Sequence, residues 1–240
     1  MKRVLAVIPT FNEAANIGVQ LERLFAACDD LDACVVDDGS PDGTASTARS
    51  TGDRIGRSVL VIERAGKNGY GSACRDGFTY ALDSGYSVVL QMDADLSHKP
   101  EDVPSLLAKL DAGADIAIGS RYVPGGSIPG WSVARKLLSR TGNAYARICL
   151  GLDVFDATAG FRAYKADALR ALPFSSARTD GYGFQLEMAY RIRQSGFTVV
   201  EVPIEFADRN HGHSKMSNRI VAEAIWMVTR LGAQRLLRRR

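Results

Sequence analysis

Cysteine is scarce in this chain, and a long apolar run is missing altogether. Cys28, Cys34, Cys74 and Cys149 stand far apart with no Cys-x-x-Cys pair, which excludes a thiolate zinc site and a disulfide framework. Scattered thiols fit a reduced, cytosolic protein. No stretch approaches the roughly 18 consecutive apolar residues that a bilayer span needs. The amino terminus starts with Lys2 and Arg3, but its apolar run is too short for a signal peptide and ends at Pro9. It reads as a first strand. Net charge of one sign is also lacking: 30 Lys and Arg against 27 Asp and Glu leave +3, which gives no reason to expect nucleic acid as a partner. Linker-like segments, internal repeats and low-complexity tracts are absent as well. What remains is an ordinary globular composition, 46% hydrophobic and 24% charged, over 240 residues. One domain with a sizeable core is the simplest account.

Strand-like and helix-like patterns alternate from the start, which indicates an α/β fold with a mostly parallel central sheet and flanking helices. Residues 4–8, 33–37, 59–62, 88–92 and 116–120 read as five strands, with a late strand over 199–206. Ile17, Leu21, Leu24, Phe25 and Cys28 share one face of an amphipathic helix. Further helices are expected from Gly69 to Leu82 and over 101–110, 131–150, 184–194 and 218–237. Residues 123–130 and 209–215 are loops by composition.

The sharpest local feature is the strand over 88–92, which runs into Asp93-Ala94-Asp95. In an open parallel sheet, ligands bind beyond the carboxyl ends of the strands. Alternate residues of a strand point to opposite faces, so the chain must turn here if both carboxylates serve one site. Two adjacent carboxylates repel, and a divalent cation with oxygen ligands relieves that. Pro9-Thr10-Phe11-Asn12-Glu13 and Asp37-Asp38 end two other strands, so three of the first four predicted strands close in polar or acidic loops on one edge. A shared ligand site explains that better than three unrelated turns.

Other motifs fail. The segment from Asp38 starts like a calcium loop, but Arg49 stands where a bidentate Glu is required. Gly66-Lys67-Asn68 lacks the glycine spacing and hydroxyl of a phosphate loop. His211 and His213 have no third ligand nearby and read as solvated loop histidines.

Pro9 to Glu13, Asp37-Asp38-Gly39-Ser40-Pro41-Asp42-Gly43-Thr44, Asp93-Ala94-Asp95 and Gly119-Ser120-Arg121-Tyr122 together resemble family 2 glycosyltransferases of the GT-A fold. Within that family, residues 131–136, 156–162 and 183–187, with Arg209, Gly212, Ser214 and Lys215, are similar to the polyprenol (dolichol) monophosphate mannose synthases. The resemblance covers residues 1 to about 218. It implies an inverting transfer of mannose from GDP-mannose to a polyprenyl monophosphate. It also implies donor contacts at Pro9, Phe11, Glu13, Val36, Asp38, Asp93, Ala94, Asp95, Arg209 and Lys215. Asp93 and Asp95 would hold Mg²⁺ or Mn²⁺. Arg121 and Arg135 would receive the acceptor phosphate, and Arg209 with Lys215 would close over the donor phosphates. Asp93, Asp95, Arg121, Arg209 and Lys215 thus form the implied catalytic set. Phe11 replaces a tyrosine common among relatives. Ser97 stands where some relatives use a glutamine metal ligand, so Ser97, His98 or water is left to fill that place.

The rival readings are a UDP-sugar-dependent polyprenyl-phosphate glucosyl or aminosugar transferase, a sugar-1-phosphate nucleotidylyltransferase, and a non-catalytic membrane-surface module. The third leaves the acidic edge unexplained. The second would need a Gly-rich, Arg-containing loop after the first strand, which is missing. Residues 1–217 are read as the catalytic domain and 218–240 as an amphipathic, basic helix of the same domain. Leu236 and Leu237 among Arg235, Arg238, Arg239 and Arg240 form an apolar tip ringed by cations, suited to anionic lipid headgroups. The expected location is cytoplasmic, peripheral to the membrane face, and compatible with a membrane-anchored partner protein.

Overall fold

In the computed structural model, residues 2–177, 179, 181–207 and 218–237 are described, the side chains of 182, 218–221 and 236 excepted. The strands are β1 (Val4–Thr10), β2 (Leu31–Asp37), β3 (Val59–Glu63), β4 (Val88–Gln91), β5 (Ile116–Ser120), β6 (Arg162–Lys165) and β7 (Val199–Pro203). The helices are α1 (Ala14–Ala27), α2 (Thr44–Ile55), α3 (Tyr70–Asp83), α4 (Val103–Asp111), α5 (Val133–Leu150), α6 (Ala166–Ala171), α7 (Gly181–Ser195) and α8 (Asn218–Leu237).

The strands form one sheet in the order β3-β2-β1-β4-β6-β5-β7. Because β1 pairs with β2 on one side and β4 on the other, the winding reverses between β1 and β4. A crevice opens outside the carboxyl ends at such a reversal. β6 alone runs against its neighbours, with Arg162 level with both Gln91 and Ile118. That reversal matters for function, because it brings the residues preceding β6 to the same edge as the ends of the other strands.

Strand residues alternate between two cores, as a period of two requires. Val7, Val89 and Tyr164 face a layer with Phe78 of α3 and Phe184 and Met188 of α7. Ile8, Leu90 and Ala163 face Ile17, Leu21 and Leu24 of α1 and Leu106 of α4. The six strands expected from sequence are present. β6, α2 and α6 were not expected. β6 is four residues long and bounded by Arg162 and Lys165, so no apolar run announces it. α2 is rich in Ser and Thr, which favour caps and turns over helix interiors, so packing on α1 and β3 decides its state.

Helix α3 lies very close to the sheet at Gly77, where an added Cβ would stand 2.3 Å from Val7 Cγ1 and 3.2 Å from Val36 Cγ2. In α5, by contrast, nothing lies within 4 Å of a Cβ added at Gly142. Gly→Ala in a helix gains about 1 kcal/mol from propensity, whereas forcing a methyl into a packed core costs roughly 1–3 kcal/mol. Gly142→Ala should therefore raise the urea unfolding midpoint and Gly77→Ala should lower it.

Candidate active site

The loops after β1 and β2 are tied together by short polar side chains. Asp37 is buried and accepts hydrogen bonds from Thr10 Oγ1 at 3.0 Å, Ser40 N at 2.9 Å and Ser40 Oγ at 2.6 Å. Ser40 Oγ in turn accepts from the amide of Asn12, whose φ of 58° puts it in the left-handed region that Asn tolerates. Asp42 accepts from the amides of Ala14 and Thr44 and from the Thr44 hydroxyl, while Thr44 Oγ1 accepts from the amide of Glu13. Burial alone would raise the Asp42 pKa, but those donors together hold it below the usual carboxylate value. Asp37 and Asp42 therefore build the loops that carry Phe11 and Glu13.

Asp38 sits differently. Its carboxylate meets Arg64 Nη1 at 2.6 Å and the Gly69 amide at 2.9 Å, and the Arg64 and Asp38 side chains are 9% and 5% exposed. Arg64 also reaches Asp76 at 3.1 Å and the Ser72 hydroxyl, so it staples β2 and β3 to the start of α3. Pro9 and Val36 lie level across β1 and β2, both buried. Phe11 is half-buried under Lys67, whose Nζ lies 4.3 Å from the ring centroid, a cation–π contact.

After β4 the chain turns, with Leu96 at a φ of 63°. The Asp93 side chain stays 28% exposed, whereas Asp95 is buried and accepts from the Ser97 amide at 3.1 Å. The bond two residues on makes an Asx turn. Ala94 is buried between them. Asp93 Oδ1 accepts from Tyr70 Oη at 2.9 Å, and that phenol oxygen receives Gln91 Nε2 at 3.0 Å and Gln185 Nε2 at 3.2 Å. Burial and the neighbouring Asp93 charge push the Tyr70 phenol well above its ordinary pKa, so it stays a donor. Gln20 of α1 holds the Asp93 carbonyl at 3.2 Å. His98 Nδ1 accepts from the Asp93 amide at 3.1 Å, so this nitrogen carries no proton, and its 3.8 Å approach to the Asp93 carboxylate is not an ion pair. The ring stacks on Phe161 at 5.0 Å. Ser97 Oγ is buried and has no hydrogen-bond partner among the described residues.

Beyond β5 lies a second cluster. Arg121 is buried, with Nε and Nη2 forked onto Asp156 at 2.7 and 2.6 Å and Nη2 also on Thr158 Oγ1 at 2.7 Å. Asp156 is fully buried, and Glu201 of β7 accepts from its amide at 2.9 Å. The Arg135 guanidinium lies 3.6 Å from the Trp131 ring centroid and that of Arg121 5.8 Å from it. The fold thus brings Arg121 and Arg135 to one tryptophan, although they lie in different elements. Arg209 and Lys215 fall outside the described residues.

Sequence reasoning missed Arg64, Tyr70, Gln20 and Lys67, and it quoted Trp131, Asp156 and Gln185 without giving them roles. Only the last three carried a signal, their place in the motifs. Removing one member of a buried ion pair strands the other charge, at a cost of about 3–5 kcal/mol. Asp156→Asn should therefore lower stability toward the smaller end of that range, because the amide keeps some hydrogen bonding to Arg121. Urea denaturation measures it.

A family profile described as Glycosyl transferase family 2 matches residues 5–172. The polyprenol monophosphomannose synthase of Mycolicibacterium smegmatis is 45% identical over 231 residues, covering 96% of this chain and 87% of that protein. The undecaprenyl-phosphate mannosyltransferase of Micrococcus luteus is 48% identical over 230 residues, covering 96% and 94%. Among solved structures, glucosyl-3-phosphoglycerate synthase from Mycobacterium tuberculosis in complex with uridine diphosphate superposes with a TM-score of 0.71 at 20% identity, over 97% of this chain and 80% of that one. The same synthase with Mn²⁺, UDP-glucose and phosphoglyceric acid gives 0.68. At that identity the likeness shows the fold, a GT-A fold, and the match to the family profile together with two relatives above 40% identity shows the rest. The chain belongs to glycosyltransferase family 2.

Proposed function

We propose that the chain transfers mannose from GDP-mannose to a polyprenyl monophosphate, with inversion at the anomeric carbon. The observation that carries this reading is the identity of 45% and 48%, over nearly the whole chain, to two transferases named for polyprenol or undecaprenyl phosphate and mannose. The layout supports it: an acidic edge outside β1 and β4 stands in the same sheet as an arginine–tryptophan cluster beyond β5. Such a molecule can hold a nucleotide sugar at the first place and an anionic acceptor at the second.

The residues present fit a divalent ion. Asp93 offers a partly exposed carboxylate, Asp95 a second one two residues on, and Ser97 Oγ is a buried oxygen with no hydrogen-bond partner among the described residues. Mg²⁺, and Mn²⁺ with similar oxygen ligands, is typically held by one or two carboxylates together with substrate phosphates, so a larger protein cage is unnecessary. When bound, the ion neutralises charge on the leaving diphosphate.

The chain's own residues do the remaining work. Tyr70, with Gln91 and Gln185 behind it, fixes one oxygen of Asp93. Pro9 and Val36 at the ends of β1 and β2, with the loops carrying Phe11, Glu13 and Asp38, form the nucleoside end of the donor site, and Asp93, Ala94 and Asp95 lie along its diphosphate. Arg209 and Lys215, outside the described residues, are assigned to the donor phosphates by the family resemblance alone. Arg121 and Arg135 receive the acceptor phosphate, Arg121 from a position that Asp156 fixes. A phosphate monoester has a second pKa near ~6, so it is largely a dianion at neutral pH and attacks without a strong general base. Orientation and charge stabilisation therefore dominate the rate.

The acceptor is a lipid, and the enzyme meets it at the membrane surface from the cytoplasmic side. No helix of the described residues is long and apolar enough to cross a bilayer. Exposed apolar side chains instead gather on α5 and α8: Val133 is 82%, Leu137 61%, Ile148 75% and Trp226 63% exposed. Tyr145 Oη bonds Thr229 Oγ1 at 2.7 Å and joins the two helices. Exposed large apolar side chains gathered on two neighbouring helices support an interaction face there. Of the carboxyl-terminal tip, Leu237 is 72% exposed. Arg235 Nη1 donates to the Cys149 carbonyl at 3.3 Å near the end of α5, so this cation serves the fold. Arg238, Arg239 and Arg240 lie outside the described residues. Ile225 of α8 is also 52% exposed.

Incubating the protein with polyprenyl phosphate and a panel of GDP- and UDP-sugars, then weighing the lipid product, tests the reading. Mannosyl product from GDP-mannose alone is expected, and glucosyl or aminosugar product from a UDP-sugar would overturn it. Asp95→Ala should abolish turnover, as should excess chelator; near-normal activity in either case rejects the metal assignment. Arg135→Lys keeps the charge but loses the planar fork, so acceptor KM should rise several-fold with the unfolding midpoint near that of the parent. Arg121→Lys should lower midpoint and activity together, because its fork also holds Asp156.

A further inference from the structure

One flank of α5 carries cations that meet no acid among the described residues. Tyr122, Arg140, Asn143, Ala144, Arg147 and Phe155 line a cleft of about 220 Å³. Elsewhere surface arginines are commonly met by carboxylates, as in Arg23 with Glu101, Arg54 with Glu22, Arg57 with Asp29 and Arg193 with Asp153. Arg140 and Arg147 have no carboxylate partner among the described residues; their neighbours are ring faces. The Arg147 guanidinium lies 4.5 Å from the Phe155 centroid and that of Arg140 5.9 Å from the Tyr122 centroid. The floor offers no counter-charge either. Asn143 is buried, with its amide nitrogen donating to the Ser139 carbonyl and Thr158 Oγ1 and its oxygen accepting the Thr158 amide. Asp156, beside Thr158, is already forked by Arg121.

The surroundings select the partner. At about 100° per residue, Lys136, Arg140 and Arg147 fall within an arc of roughly 40° on α5. Val133, Leu137, Ala144 and Ile148 fall within the adjoining arc of roughly 60°. A basic row beside an exposed apolar row is the pattern of a helix lying in the headgroup layer of a bilayer. Two guanidinium forks braced on aromatic rings suit the oxygens of a phosphate group. The Tyr122 ring stands between this cleft and the candidate acceptor site, with Arg121 5.3 Å from its centroid. We propose that the Arg140–Arg147 cleft binds the phosphate of an anionic phospholipid headgroup, apart from the acceptor phosphate, and seats α5 at the membrane surface. This rests on the proposed membrane-surface location and narrows it to one cleft.

The test uses the full chain and its Arg140→Gln/Arg147→Gln variant in vesicle flotation, with folding checked by the thermal midpoint. Basic residues near an anionic surface contribute about 1 kcal/mol each, so partition onto phosphatidylglycerol-containing vesicles should fall roughly 30-fold. Partition onto pure phosphatidylcholine vesicles should not change, nor should kcat and KM with a short, water-soluble phosphate acceptor. Arg140→Lys/Arg147→Lys should restore the partition only in part; full restoration would show diffuse charge attraction and overturn the cleft. A raised KM for the soluble acceptor with undiminished vesicle partition would assign the cleft to the acceptor and overturn the proposal. Selective binding of glycerol 3-phosphate to the parent chain without vesicle binding would make it a soluble-phosphate site, also against the proposal. Leu137→Ser/Ile148→Ser tests location separately. If it releases the protein from all vesicles while the arginine variant behaves as the parent, the membrane reading stands and the cleft alone fails.

Discussion

The buried fork between Arg121 and Asp156 holds this molecule's two halves in working relation. It ties the end of β5 to the chain that enters β6, the strand running against all its neighbours. Such a pair is expensive to bury, because both ions lose their water, and only dense compensation makes it tolerable. Compensation is visible here. Asp156 also accepts the Arg121 amide at 3.0 Å, Thr158 Oγ1 bonds both partners, and Glu201 receives the amides of Phe155 and Asp156. β5, β6 and β7 are thereby locked at the edge where ligands approach.

From that lock follows a separation of charge along one edge. Outside β1, β2 and β4 the loops carry carboxylates, and beyond β5 Arg121, fixed on the buried Asp156, and Arg135 gather at Trp131. Glycosyl transfer between two phosphorylated partners calls for such a division, since the groups that steady a leaving diphosphate and those that receive an entering phosphate must not neutralise each other. Gly160 shows how closely the halves meet. A Cβ there would stand 2.9 Å from Tyr70 Oη and 3.5 Å from Asp93 Oδ1, so only the bare backbone of the run into β6 fits against the acidic side.

Within the acidic edge, residues of one type do different jobs. Asp37 and Asp42 are consumed by amides and hydroxyls of their own loops, Asp38 by Arg64 and Gly69, and Asp95 spends one bond on an Asx turn. Asp93 keeps a partly exposed carboxylate, with one oxygen steadied by a phenol. Orientation is bought from residues with no acidic character at all, namely Tyr70, Gln91, Gln185 and Gln20.

The sequence by itself determined the alternation of strands and helices, the polar ends of β1, β2 and β4 on one edge, and the family motifs. Each is a local pattern: periodicity of apolar residues, an abrupt change to carboxylates, a short run in fixed order. It did not reveal β6, whose four residues lack an apolar run and are held by partners far away in the chain. Nor could it tell Asp93 from Asp37, because exposure depends on what packs above a side chain and composition at that position is the same. Arg64 on Asp38, Tyr70 on Asp93 and Asp156 on Arg121 are separated by 26, 23 and 35 residues. Pairings over such distances are chosen by the winding of the sheet, which only the folded chain supplies.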